Sequence, residues 1–188
     1  MESSNLSDEE LAKLVSLGDT DKFGVLMERY QAKLFRYGKK FLVDTDNIED
    51  VVQDVFIKTY KNIKSFDTTQ RFSPWIYRIA HNTYINAIKK NSLNPLNYFD
   101  FDTLVSYTVV EDPIIKEREQ KEIKDFIDKG LSNIEDKFRE ILVLYYIEEL
   151  SYKEIAEILH IPISTVGVRI MRAKKVLKDK YKELNIEI

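Results

Sequence analysis

The chain has 188 residues, 44% of them hydrophobic, with 29 basic residues against 32 acidic ones and no cysteine. That apolar content supports one or two small cores. The missing thiols exclude disulfides and thiolate metal sites, and His 2 leaves little for zinc. No signal peptide or apolar run of about twenty residues stands out, so the chain is expected to be cytoplasmic, with no membrane insertion.

Glycine (5) and proline (4) are sparse and alternating strand patterns are scarce, which predicts an all-α protein of two small helical domains joined by a flexible linker. In chain order, Ser7 with Glu10 forms a capping box that opens a short helix to about Leu17. Asp19 or Asp21 opens a second, to about Leu42, with Phe23, Leu26, Met27, Tyr30, Leu34 and Phe41 inside. Asp46 with Glu49 caps a third over 47–64, burying Ile48, Val51, Val52, Val55, Thr59 and Ile63. Phe66 to Gln70 reads as a loop. Ser73 followed by Pro74 is a suitable cap and first turn for a fourth helix to about Lys90.

Asn91 to Asp112 lacks helical period, and a helix follows over about 113–130. Ser132 with Glu135 caps the next, 133–148, whose Ile134, Phe138, Ile141, Leu142 and Tyr145 face inward. The division predicted is 1–92, a linker at 93–112, and 113–188.

The last segment carries the strongest motif. Ser151 with Glu154 caps a helix starting at Tyr152, with Ile155, Ala156 and Leu159 as its buried face. His160 tolerates a left-handed turn, Ile161 plugs the corner and Pro162 stops the first helix. Ser164 or Thr165 caps the next, whose Val166, Ile170, Ala173 and Leu177 recur at helical spacing. Two helices meeting at a tight break form a helix-turn-helix pattern. Its outward residues are Ser164, Thr165, Gly167, Arg169, Arg172, Lys174, Lys175, Lys178 and Lys180, several within reach of bases or phosphates.

The net charge of −3 does not suit a DNA binder until its distribution is read. No carboxylate lies between Asp67 and Asp100, a stretch that holds Arg71, Arg78, Lys89 and Lys90. From Arg169 to Lys182 the only acid is Asp179. Within the first of these islands, Phe66, Phe72 and Trp75 accompany Arg71, Arg78, Asn82, Asn86 and Lys89. Aromatic faces stack unpaired bases, amides read their edges and cations meet phosphates. Ile76, Ile79, Ala80 and Thr83 recur at core spacing instead, while Trp75 fits either role.

Three stretches, 50–60 (Asp50-Val-Val-Gln-Asp-Val-Phe-Ile-Lys-Thr-Tyr60), 72–82 (Phe72-Ser-Pro-Trp-Ile-Tyr-Arg-Ile-Ala-His-Asn82) and 151–175, resemble the extracytoplasmic-function (ECF) sigma factors of bacterial RNA polymerase. Residues about 20–90 correspond to sigma region 2 and 130–182 to region 4. The resemblance implies a sigma factor with no cofactor and no catalytic role, whose partners are core RNA polymerase (through its β′ clamp coiled coil and β flap), promoter DNA and an anti-sigma factor. It places Glu49, Asp50, Gln53 and Asp54 against the β′ coiled coil. Phe66, Arg71, Phe72, Trp75, Arg78, Asn82, Asn86 and Lys89 fall at the −10 element, and Ser164, Thr165, Arg169, Arg172, Lys174 and Lys175 at the −35 element. Gly167 and Val168 depart from the basic or small polar residues common there, which puts base contacts at those two positions in question. The linker would thread toward the active-site cleft.

Two other readings compete. A stand-alone helix-turn-helix regulator leaves the carboxylate-free aromatic island unexplained. A di-metal carboxylate bundle needs two Glu-x-x-His pairs, and only Glu157 with His160 qualifies.

Overall fold

The computed structural model describes residues 6–39, 45–91 and 136–183. The linker beyond Asn91, the helix over 113–130, the Ser132–Glu135 cap, Ile134, Phe41 and Leu42 lie outside these residues. Among the described residues every regular element is helical. The chain divides into two compact units, Met1–Phe99 and Asp100–Ile188.

In the first unit, α1 (Asp8–Ser16), α2 (Asp21–Gly38), α3 (Thr45–Asn62) and α4 (Phe72–Asn91) form a bundle, with a 3-10 turn at Ile63–Ser65. The capping box at α1 is complete: the Ser7 amide donates to Glu10 Oε2 at 2.7 Å, and the Glu10 amide donates to Ser7 Oγ at 3.1 Å. α2 is capped by Thr20 without a side-chain bond, so neither Asp19 nor Asp21 serves as its cap.

Helix α3 begins at Thr45, ahead of the predicted start, and buries Ile48, Val51, Val52, Val55 and Thr59 as the period requires, with Phe56 added. Met27 is 39% exposed, contrary to its predicted place in the core, because it lies beside a groove between α2 and α3. The core runs through Leu11, Leu26, Leu34, Ile76 and Ala80 and a stack of fully buried tyrosines. Tyr37 meets Tyr77 and Tyr84 edge-on at 5.2 and 5.8 Å. Tyr84 donates to the Leu34 carbonyl at 3.1 Å, and burial pushes its phenol well up from the ordinary value. Gly38 makes this packing possible, since a Cβ there would lie 2.8 Å from Ile48 Cγ2 and closer still to the Tyr84 ring end.

In the second unit, α5 (Asp136–Leu142) widens into a π-helical turn at Val143–Ile147, then α6 (Tyr152–Leu159) and α7 (Ile163–Glu183) follow. Ile141, Leu142, Val143, Leu144, Tyr145 and Tyr146 are all buried, so this helix is apolar around its whole circumference rather than along one stripe. The helix stops at Ile147, within one residue of the predicted end at 148, and Glu149 turns the chain with a left-handed backbone (φ 54°). α5 and α6 both pack on α7.

Candidate nucleic-acid interface

Helix α4 sets the first surface. Ile76, Tyr77, Ala80, Thr83 and Tyr84 anchor it in the bundle. Trp75, Arg78, Asn82, Asn86 and Lys89 succeed one another at steps of three or four residues, which places them along one side of the helix. Arg78, Asn82, Asn86 and Lys89 are exposed and Trp75 is half-buried. At 1.5 Å rise per residue this stripe runs about 21 Å. Arg71 is exposed just ahead of the helix.

The aromatic residues divide by burial. Phe72 is fully buried and Phe66 is 8% exposed, so neither offers a free face, contrary to their predicted place among the DNA contacts. They form a base instead: Phe66 and Phe72 meet edge-on at 5.4 Å, and Trp75 lies tilted on both, at 5.1 and 5.6 Å. The apolar cost of exposing two phenylalanines is avoided, and one indole is left partly open to solvent. The preceding loop is held by Asp67, whose Oδ1 accepts from the Thr69 amide at 3.0 Å and the Thr69 hydroxyl at 2.7 Å. Those two donors hold its carboxyl below the usual carboxylate range. The start of α4 also departs from expectation: Ser73 and Pro74 lie inside the first turn, and the Phe72 amide donates to Glu9 Oε1 of α1 at 2.8 Å.

Helix α3 carries a second surface. Glu49, Asp50, Gln53 and Asp54 are all exposed. Beside them a groove of about 1050 Å³ opens between α2 and α3, floored by Phe23, Val52 and Phe56 and edged by Met27, Ile57 and Tyr60. Ile57 is 50% and Tyr60 44% exposed. Sequence periodicity missed this groove, because each helix alone shows only single apolar residues on its polar side; their pairing across two helices needs the fold.

The second unit holds the helix-turn-helix. Ser151 accepts from the Glu154 amide at 3.3 Å, and Glu154 Oε2 accepts from the Ser151 amide at 2.7 Å, completing the cap of α6. His160 takes the left-handed conformation (φ 54°, ψ 41°). The Ile161 amide closes back on the Ala156 carbonyl at 3.2 Å, a Schellman closure. Ile155 and Ile158 are the buried residues of α6, whereas Ala156 and Leu159 are half-buried. The buried face is thus rotated by about one residue from the predicted one.

α7 starts at Ile163, one residue before Ser164, and the Pro162 carbonyl accepts from the amides of Thr165 and Val166 at 2.9 and 3.2 Å. Neither Ser164 nor Thr165 is therefore the cap; they lie in the first turn, exposed and half-buried respectively. Val166, Ile170, Ala173 and Leu177 are buried as predicted. Arg169, Arg172 and Lys174 are half-buried and Lys175 is exposed. Gly167 is buried rather than outward, because without a side chain it presents only backbone, which its neighbours cover; Val168 is 6% exposed. Among the described residues no cluster of His, Cys, Asp and Glu could hold a metal ion, and no helix is long and apolar enough to cross a membrane.

Comparison with known proteins finds two family matches along the chain. The Sigma-70 region 2 family matches residues 26–93, and the Sigma-70 region 4 family matches 130–177. The chain is 36% identical over 180 residues to the ECF RNA polymerase sigma factor SigW of Bacillus subtilis, covering 92% of this chain and 95% of that protein. It is 33% identical over 185 residues to the ECF RNA polymerase sigma-E factor of Haemophilus influenzae, covering 95% and 97% respectively. Its fold resembles the sigma factor RpoE from Bartonella quintana, solved in complex with the anti-sigma factor NepR, with a TM-score of 0.58, 21% identity, and coverage of 85% of this chain and 96% of that one.

Proposed function

The chain belongs to the ECF RNA polymerase sigma factors, the subunits that direct transcription initiation, and on that premise we propose how its surfaces divide the work. The exposed row of Glu49, Asp50, Gln53 and Asp54 on α3 meets basic side chains of the β′ clamp coiled coil, and the adjoining groove takes apolar side chains of the same partner. The first turn of α7, with Ser164 and Thr165, and the cations Arg169, Arg172, Lys174 and Lys175 engage the −35 element while the unit rests on the β flap.

The α4 stripe follows the opened −10 strand. Arg71, Arg78 and Lys89 meet phosphates, Asn82 and Asn86 read base edges, and Trp75 stacks on an extruded base above its Phe66–Phe72 support. One stacked base is worth about 1–3 kcal/mol, comparable to unstacking one from a duplex, so binding energy alone supports opening. Chemistry belongs to the polymerase: the chain acts in the cytoplasm, without a cofactor and not as an enzyme. An anti-sigma protein covers these faces until a signal releases them.

The observation that carries this reading is the carboxylate-free stripe beside a half-open indole on a buried aromatic base. Run-off transcription with core polymerase over a promoter library tests it. Asn82→Ala is expected to cut open complexes about tenfold, the value of one good base-edge contact, while −35 binding is kept. Unchanged melting by this variant, or no promoter-dependent transcript from the wild type, overturns the reading.

A further inference from the structure

The fourth helix follows a residue whose side chain cannot accept a hydrogen bond. Arg71, the residue before it, offers only donors, and the first amides of any helix lack intrahelical partners. An acceptor for its first amide comes from sixty-three residues earlier in the chain, where Glu9 Oε1 takes the Phe72 amide at 2.8 Å. Its neighbour Asp8 accepts from the Tyr30 hydroxyl at 2.6 Å and from Arg29 at 2.6 Å. The Tyr30 ring in turn meets Phe72 edge-on at 5.4 Å. One acidic dipeptide therefore holds Phe72 twice, directly by its backbone and through Tyr30 by its ring.

Phe72 is also the residue on which Phe66 and Trp75 rest. The first turn of α1 itself is fixed by the Ser7–Glu10 box. A carboxylate there also favours the positive end of α4, so the contact gains from the helix dipole as well as from the bond.

From this chain of contacts we propose that Glu9 is a positioning residue for promoter opening: it sets the entry angle of α4 and so the attitude of Trp75, without touching DNA. Asp8 acts with it through Tyr30. The proposal rests on the −10 role given to α4 above, but its first readout needs neither DNA nor polymerase. Trp75 is the only tryptophan in the chain, so intrinsic emission and acrylamide quenching of the full-length protein report its surroundings alone.

Glu9→Ala is expected to raise the quenching of Trp75 and to lower open-complex formation about five- to tenfold, the effect of one lost cap. Affinity for core polymerase and for −35 duplex stays at the wild-type level. Glu9→Gln keeps an acceptor oxygen and is expected to restore both readouts to within about twofold, given that a neutral acceptor caps nearly as well. A purely structural role predicts no such rescue pattern at temperatures well below unfolding.

Wild-type quenching and melting in folded Glu9→Ala overturn the proposal, as does a Glu9→Gln as defective as the alanine variant. Should Glu9→Ala fail to fold, Tyr30→Phe decides. It removes only the hydroxyl bonded to Asp8, and unaltered Trp75 quenching in that variant counts against the mechanism. If quenching responds as expected while the wild type opens no promoter, the positioning stands and the −10 role falls.

Discussion

The two units set the entry of α4 and of α7 by different means. In the second, the corner that leads into α7 is built locally, from the Ser151–Glu154 box, the left-handed His160 and the Ile161 amide returning to Ala156, and α5 then packs along the helix. In the first, α4 is aimed by α1, through Glu9 at Phe72 and through Tyr30 against its ring. A helix entry assembled from neighbouring residues depends little on distant segments. One assembled from distant segments transmits change in them to its surface.

Phe72→Ala is the severest way to break this contrast. It empties the centre of the Tyr30–Phe66–Trp75 cluster and should cost about 3–5 kcal/mol, as large-to-small changes of buried aromatic residues do. Denaturant titration followed by Trp75 emission reads that loss, while amide exchange of Ile155 in α6 is expected to stay at the wild-type rate. Ser151→Ala should do the reverse on a smaller scale. Losing one capping box costs about 1 kcal/mol, seen as faster exchange in α6 with the Trp75 transition unmoved.

The mildest probe is acid. Asp67 is held below its ordinary value by Thr69, so its contribution to the 66–71 loop is present above pH 3.8 and fades as pH falls through the lower folded value. Because the group is exposed, Trp75 quenching should be level from pH 8 to pH 5 and rise only below 3.8.

How far each unit is legible from sequence follows from the same contrast. The helix-turn-helix announces itself because its caps and turn lie within a dozen residues, and even there the buried face is misplaced at Ala156 and Leu159 and the start of α7 by two or three residues. Periodicity found the buried faces of α3 and α7 because amphipathic spacing is a local property. It put Met27 inside and Gly167 outside because burial is decided by what packs against a helix. It assigned α4 a cap at Ser73 because nothing near Phe72 in sequence points to Glu9. Composition marked Phe66, Phe72 and Trp75 as one aromatic group; only the packing separates the two that support from the one that is partly open.

The Glu9–Phe72 bond also orders events in time. As the chain leaves the ribosome, α1 emerges early and cannot complete its contact until residue 72 has followed, whereas the α6–α7 corner needs only its own short stretch. Contacts of high sequence separation form late because loop closure must precede them. Until residue 72 has followed, Glu9 has no Phe72 amide to accept from, and Trp75 has no Phe72 ring to rest on.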